Sequence, residues 1–131
     1  MQSKTATVVL STPKEKVFAY LANIENMPKW STEFCKQLKT IDGKTKVVTD
    51  KGELFFQIRA DEKTGVIDLI IGPTEDQMNA IPSRVVGLPG GACAYLFTLF
   101  QAPNMSDEDF EHGYRSLLRE FENIRREFNG A

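Results

Sequence analysis

The feature that most constrains this chain is an apolar stripe near its C-terminus. Phe110, Tyr114, Leu117, Leu118, Phe121, Ile124 and Phe128 follow one another at helical spacing. That spacing marks one face of an α-helix of about 3.6 residues per turn. Arg115, Arg119, Glu122 and Arg126 fall on the opposite face. Ser106 precedes Asp107, Glu108 and Asp109. Ser106 is therefore the expected N-cap, and the acids stand where the helix dipole favours them. Gly130 is the expected stop. A helix this long with one apolar face must bury that face against another layer.

The rest of the chain supplies a sheet. Ser3 to Leu10 is rich in Thr and Val and predicts a first strand. Thr12-Pro13-Lys14-Glu15 predicts a helix start, with Thr12 as N-cap, Pro13 at the first helical position and Glu15 closing a capping box. Val17, Phe18 and Leu21 carry that helix to about Ala22, and a second short helix is expected from Pro28 to Thr32. Strands are then expected over Phe34–Ile41, Lys44–Thr49, Glu53–Ala60, Val66–Ile71, Met78–Val86 and Ala92–Phe100. Asp42-Gly43 between the first two of these is a strong hairpin signal. Pro82 should sit at a bulge or an edge. Turns of hairpin length imply an antiparallel meander, so the reading is an α+β chain of seven strands, two short helices and one long covering helix.

Size and charge limit the functional classes. The 131 residues suit one domain with one core. A net charge of −2, from 18 acids and 16 bases that are scattered, predicts no nucleic-acid partner. The longest apolar runs, GVIDLIIG and AYLFTLF, are strand-sized, far short of the roughly 20 residues of a membrane span. The start, MQSKTATVVL, does not read as a signal peptide, so a cytoplasmic location with reduced thiols is expected. Cys35 and Cys93 lack CxxC spacing and read as buried structural thiols. His112 is the lone histidine, so no metal cluster is expected, and no cofactor is implied.

Three stretches carry a resemblance. TPKEKVFAYLANIENMPKW, from Thr12 to Trp30, is one; YLFTLFQAPNMSDEDFE, from Tyr95 to Glu111, is another; the terminal helix is the third. Together with the strand count they resemble the START-like, or SRPBCC, superfamily. Its members include polyketide cyclase/dehydrases, lipid-transfer domains and pollen-allergen-like ligand binders. The resemblance implies a helix-grip fold, a seven-stranded antiparallel sheet wrapped around the C-terminal helix, with a cavity between them. Carried over residue by residue, it places Trp30, Phe56, Ile58, Leu69, Tyr114, Leu117 and Phe121 at that cavity. It implies no invariant catalytic motif, since the fold hosts many activities.

A search for chemistry finds few polar groups that could converge. His112 should lie beside the apolar stripe, at the rim. Asp68 faces solvent if Ile67, Leu69 and Ile71 face inward, and becomes a cavity acid if the parity is reversed. Arg84 shares parity with Met78, Ala80 and Val86, so it is a candidate for meeting an anionic headgroup. No Gly-rich phosphate loop, nucleophile elbow or HExxH motif is present. Two functional readings follow. One is a non-catalytic binder of a hydrophobic small molecule, a lipid or a polyketide-like compound. The other is a cyclase or dehydratase using the same cavity, with Tyr114, His112, Arg84 or Asp68 handling protons. The balance leans towards the binder. A homodimer is left open.

Overall fold

The computed structural model describes residues 1–129, so the expected stop at Gly130 lies outside the described residues. The order is β1 (Ser3–Leu10), α1 (Lys14–Ala22), a 3-10 turn (Ile24–Asn26) and α2 (Met27–Trp30). It continues with β2 (Gln37–Ile41), β3 (Lys44–Thr49), β4 (Gly52–Asp61), β5 (Val66–Gly72), β6 (Asn79–Ile81), β7 (Ser83–Leu88) and β8 (Ala92–Phe100), and ends in α3 (Asp107–Asn129). The strands form one antiparallel sheet in the order β1-β8-β7-β5-β4-β3-β2, with β6 pairing β5.

The sheet has eight strands rather than seven. The expected strand Met78–Val86 divides at Pro82, which has no N–H for a ladder. Before the break, Ile81 pairs with Leu69 of β5; after it, Ser83 pairs with Phe97 of β8. The alternation carries through the break: Ile81 faces the cavity, Ser83 and Val85 are buried, and Arg84 is exposed, so the even-numbered set that was a candidate inward face points outward.

Hairpin chemistry fixes the registers. Asp42 and Gly43 both take positive φ, 54° and 76°, as a two-residue turn between right-twisted strands requires. Gly72 is needed for a different reason: a Cβ there would lie 2.0 Å from the carbonyl oxygen of Gln77.

The helix starts show one expected cap and one correction. Ser106 caps α3, its Oγ accepting from the Asp109 N–H at 3.1 Å. Thr12 does not cap α1. Pro13, extended at ψ 145°, occupies the cap position and makes no side-chain cap bond. The Thr12 hydroxyl instead donates to the Phe128 carbonyl at 3.3 Å, one of the carbonyls that a helix end leaves unpaired. The second short helix ends at Trp30, before the expected Thr32. Strand β2 begins three residues later than expected, at Gln37 rather than Phe34. The reason is that the amides of Glu33 and Phe34 are used elsewhere, as the site shows.

The core lies between the inner sheet face and α3. Val8, Leu10, Val17, Val47, Ile67, Val85, Cys93 and Ile124 are sealed from solvent. Leu118, placed on the apolar stripe by spacing, is 41% exposed. At about 100° per residue it lies some 80° from Phe110, outside the buried arc.

Candidate functional site

A cavity of about 440 Å³ opens between α3, the inner sheet and the Ser31–Phe34 loop. Its walls are built by alternation. Leu54 and Phe56 of β4 face in, as do Leu69 and Ile71 of β5 and Phe97 and Leu99 of β8. Phe110, Gly113, Leu117 and Glu120 line it from α3, and Met27, Trp30 and Phe34 from the α2 side. Thr49, Asp50 and Lys51 of the β3–β4 turn, with Met105, Asp109 and His112, reach it from its more exposed side.

Four aromatic rings pack together beside the cavity. Trp30 meets Tyr95 edge-on at 6.4 Å, and Phe121 lies 5.5 Å from Tyr95 and 6.2 Å from Phe97. Such pairs add specific geometry to the area they bury. The Tyr95 hydroxyl donates to Ser83 Oγ at 3.0 Å, and Ser83 donates to the Ile67 carbonyl at 2.5 Å, a relay across three strands. Burial pushes the Tyr95 phenol far above its ordinary range.

One buried carboxylate faces this apolar space. Glu120 is 3% exposed and is the one buried carboxylate among the described residues. Its Oε2 accepts three hydrogen bonds of 3.0 Å, from the Ser31 hydroxyl and the Glu33 and Phe34 amides. Those bonds consume the backbone donors that would have begun β2. Burial raises the pKa of Glu120, and the three donors pull it back down. Next to it, Asn123 Nδ2 donates to the Trp30 carbonyl at 3.0 Å and to Thr32 Oγ1 at 3.1 Å.

The residues expected at the cavity divide into two sets. Trp30, Phe56, Leu69 and Leu117 line it. Ile58 is half-buried against the core and opposite Leu69 in register, away from the cavity wall. Phe121 belongs to the aromatic cluster next to it. Tyr114 turns to the β1 side, where Lys4 Nζ lies 4.9 Å from its ring. Arg84 points outward, Nε donating to the Thr64 carbonyl at 3.0 Å. Asp68 stands opposite Arg59 on the outer face, while Ile67 and Leu69 are buried. His112 is exposed at the rim. Among the described residues no group of His, Cys, Asp and Glu could hold a metal ion, and no helix is long and apolar enough to cross a membrane.

No family model and no curated protein matches the sequence. Solved structures do match. XoxI from Bacillus cereus superposes with a TM-score of 0.74 at 14% identity, over 98% of this chain and 96% of that one. A START superfamily protein from Mycobacterium smegmatis gives 0.67 at 10% identity, over 98% and 97%. The Zhui aromatase/cyclase from Streptomyces gives 0.67 at 14% identity, over 98% and 92%. The fold is a helix grip, shared with these structures.

Within the helix grip, α3 presents two shoulders. Tyr114 and Leu118 lie on one, and Gly113 and Glu120 on the other, with Leu117 and Phe110 between them. The cavity lies against the second shoulder. Gly113, Leu117, Glu120 and Ile124 follow at steps of four, three and four, and that offset series was the available signal for Glu120.

Proposed function

We propose that the protein binds a hydrophobic small molecule in the cavity between sheet and α3. The observation that carries this reading is the cavity itself. At about 440 Å³ with mainly aliphatic and aromatic walls, it falls in the size and character range of small-molecule sites. Trp30, Phe56, Leu69 and Leu117 would supply the contacts. Removing apolar ligand area from water contributes roughly 25 cal/mol per Å², less the cost of immobilising the ligand. A lipid-like or polyketide-like body fits these walls.

The cyclase or dehydratase reading draws on the similarity in fold to the Zhui aromatase/cyclase. It needs several proton-handling groups around one substrate. Arg84 and Asp68 lie on the outer face, Tyr114 on the far shoulder and His112 at the rim, so they do not converge. Binding is therefore the better supported function.

A titration with the neutral fluorescent probe N-phenyl-1-naphthylamine tests it. One saturable site is expected, weakened in Leu117→Trp, with the circular dichroism of the variant unchanged. Absence of a saturable site, or equal affinity in the variant, rules the reading out.

A further inference from the structure

Glu120 is a carboxylate with one oxygen fully used and one oxygen free. Oε2 holds the Ser31 hydroxyl and two backbone amides, each at 3.0 Å. Among the described residues no protein donor meets Oε1, and no side-chain oxygen sealed from solvent lacks a partner. Oε1, without a protein partner, therefore keeps some exposure, and Glu120 lines the cavity. The three donors fix the carboxylate plane, so Oε1 is a positioned acceptor in an apolar wall.

The surrounding charges agree with that role. Glu33, Asp50 and Asp109 also border the cavity, against Lys51 and His112. Arg119, the cation next to Glu120 in sequence, is engaged by Glu33 and is 55% exposed. No buried cation offers itself to a carboxylate or phosphate headgroup among the described residues.

We propose that the ligand of this cavity carries a hydrogen-bond donor, a hydroxyl or an ammonium on an apolar body, which Glu120 Oε1 accepts, and that anionic headgroups are rejected. The inference rests on the binding reading above and specifies the ligand class. A carboxylate ligand would place like charges side by side in a water-poor site, which is strongly unfavourable. A donor-bearing ligand instead forms a charge-assisted hydrogen bond.

The isosteric variant Glu120→Gln makes the sharpest test. The three protein donors hold the Gln carbonyl oxygen, which forces the amide NH2 towards the cavity. An acceptor becomes a donor with almost no change of shape. Four ligands with a common decyl chain are competed against N-phenyl-1-naphthylamine at pH 8: decan-1-ol, decylamine, decyl methyl ether and decanoate. In the wild type, the alcohol and the amine should bind about tenfold or more tighter than the ether, as a hydrogen bond to a charged group implies. Decanoate should bind weaker than the ether. In Glu120→Gln, the advantage of the alcohol and the amine over the ether should vanish, and decanoate should gain. Equal wild-type affinities for alcohol and ether, or an order that is unchanged in the variant, would overturn the role of Glu120 and leave the apolar cavity standing. If none of the four displaces the probe from a saturable site, the binding reading fails and this inference fails with it.

Discussion

Arg119 grips Glu33 through two parallel hydrogen bonds, Nε to Oε2 and Nη2 to Oε1, each of 2.7 Å. The guanidinium holds the Glu33 carboxyl below its ordinary pKa. Both side chains are about a third or more exposed, at 55% and 34%, so water and salt screen the pair. Arg119→Ala should move the denaturant midpoint little, and 1 M salt (a Debye length of about 3 Å) should erase the difference. Hydrogen exchange at the Glu33 and Phe34 amides should stay slow, because Glu120 rather than Arg119 holds them. Fast exchange in Arg119→Ala would show that the loop depends on the ion pair.

Glu120 has the opposite behaviour with pH. Burial raises its pKa above the ordinary 4.5. The folded protein thus holds this proton more tightly than the unfolded chain does. The resulting stabilisation is complete below the unfolded pKa and is lost as pH rises through the folded one. Unfolding free energies of wild type minus Glu120→Gln, followed from about pH 4 to about pH 8, should therefore decline with rising pH. A difference that is flat or climbs contradicts the assignment.

Gly113 sits inside α3 with nothing within 4 Å of where a Cβ would stand. Gly113→Ala should stabilise the protein by roughly 0.5–1 kcal/mol in thermal unfolding, the usual helix-interior difference. Gly113→Phe should extend a ring into the cavity and weaken probe binding. Unchanged probe affinity in Gly113→Phe would place the binding space elsewhere.

The Tyr95–Ser83–Ile67 relay predicts an asymmetry. Tyr95→Phe removes a donor, and Ser83 keeps its bond to the Ile67 carbonyl, so the cost should be about 1 kcal/mol. Ser83→Ala strands the buried Tyr95 hydroxyl and should cost more, about 1–3 kcal/mol. Denaturant melts of both variants decide the order.

Most of the fold was legible because its signals are local. Strand β1, the Asp42-Gly43 turn, strand β8 and the capped start of α3 all follow from residues within a few positions of one another. The role of Pro82 was half visible: a break was expected, but the strand's weak apolar alternation did not show that Ile81, Ser83 and Val85 face inward and Arg84 outward. The site was less legible. Helical spacing identified the stripe but not which shoulder would meet empty space, so Tyr114 was favoured over Gly113. Glu120, between Arg119 and Phe121, has the local pattern of a solvated residue. What buries it is a set of donors from Ser31 to Phe34, distant in sequence, and only the folded chain brings them together.

Helix α3 is fastened at three stations. Buried Gln101 bonds to Asp107 Oδ1 at 2.8 Å at its start, and Ser31, Glu33 and Phe34 hold Glu120 midway. Thr12 holds the Phe128 carbonyl near its end. A helix pinned in this way cannot swing aside as a door. On the binding reading, a guest would exchange past the β3–β4 turn and the segment before α3, where the cavity's exposed residues lie. Association should accordingly be a single step, its observed rate rising linearly with guest concentration without the plateau that a slow rearrangement would impose.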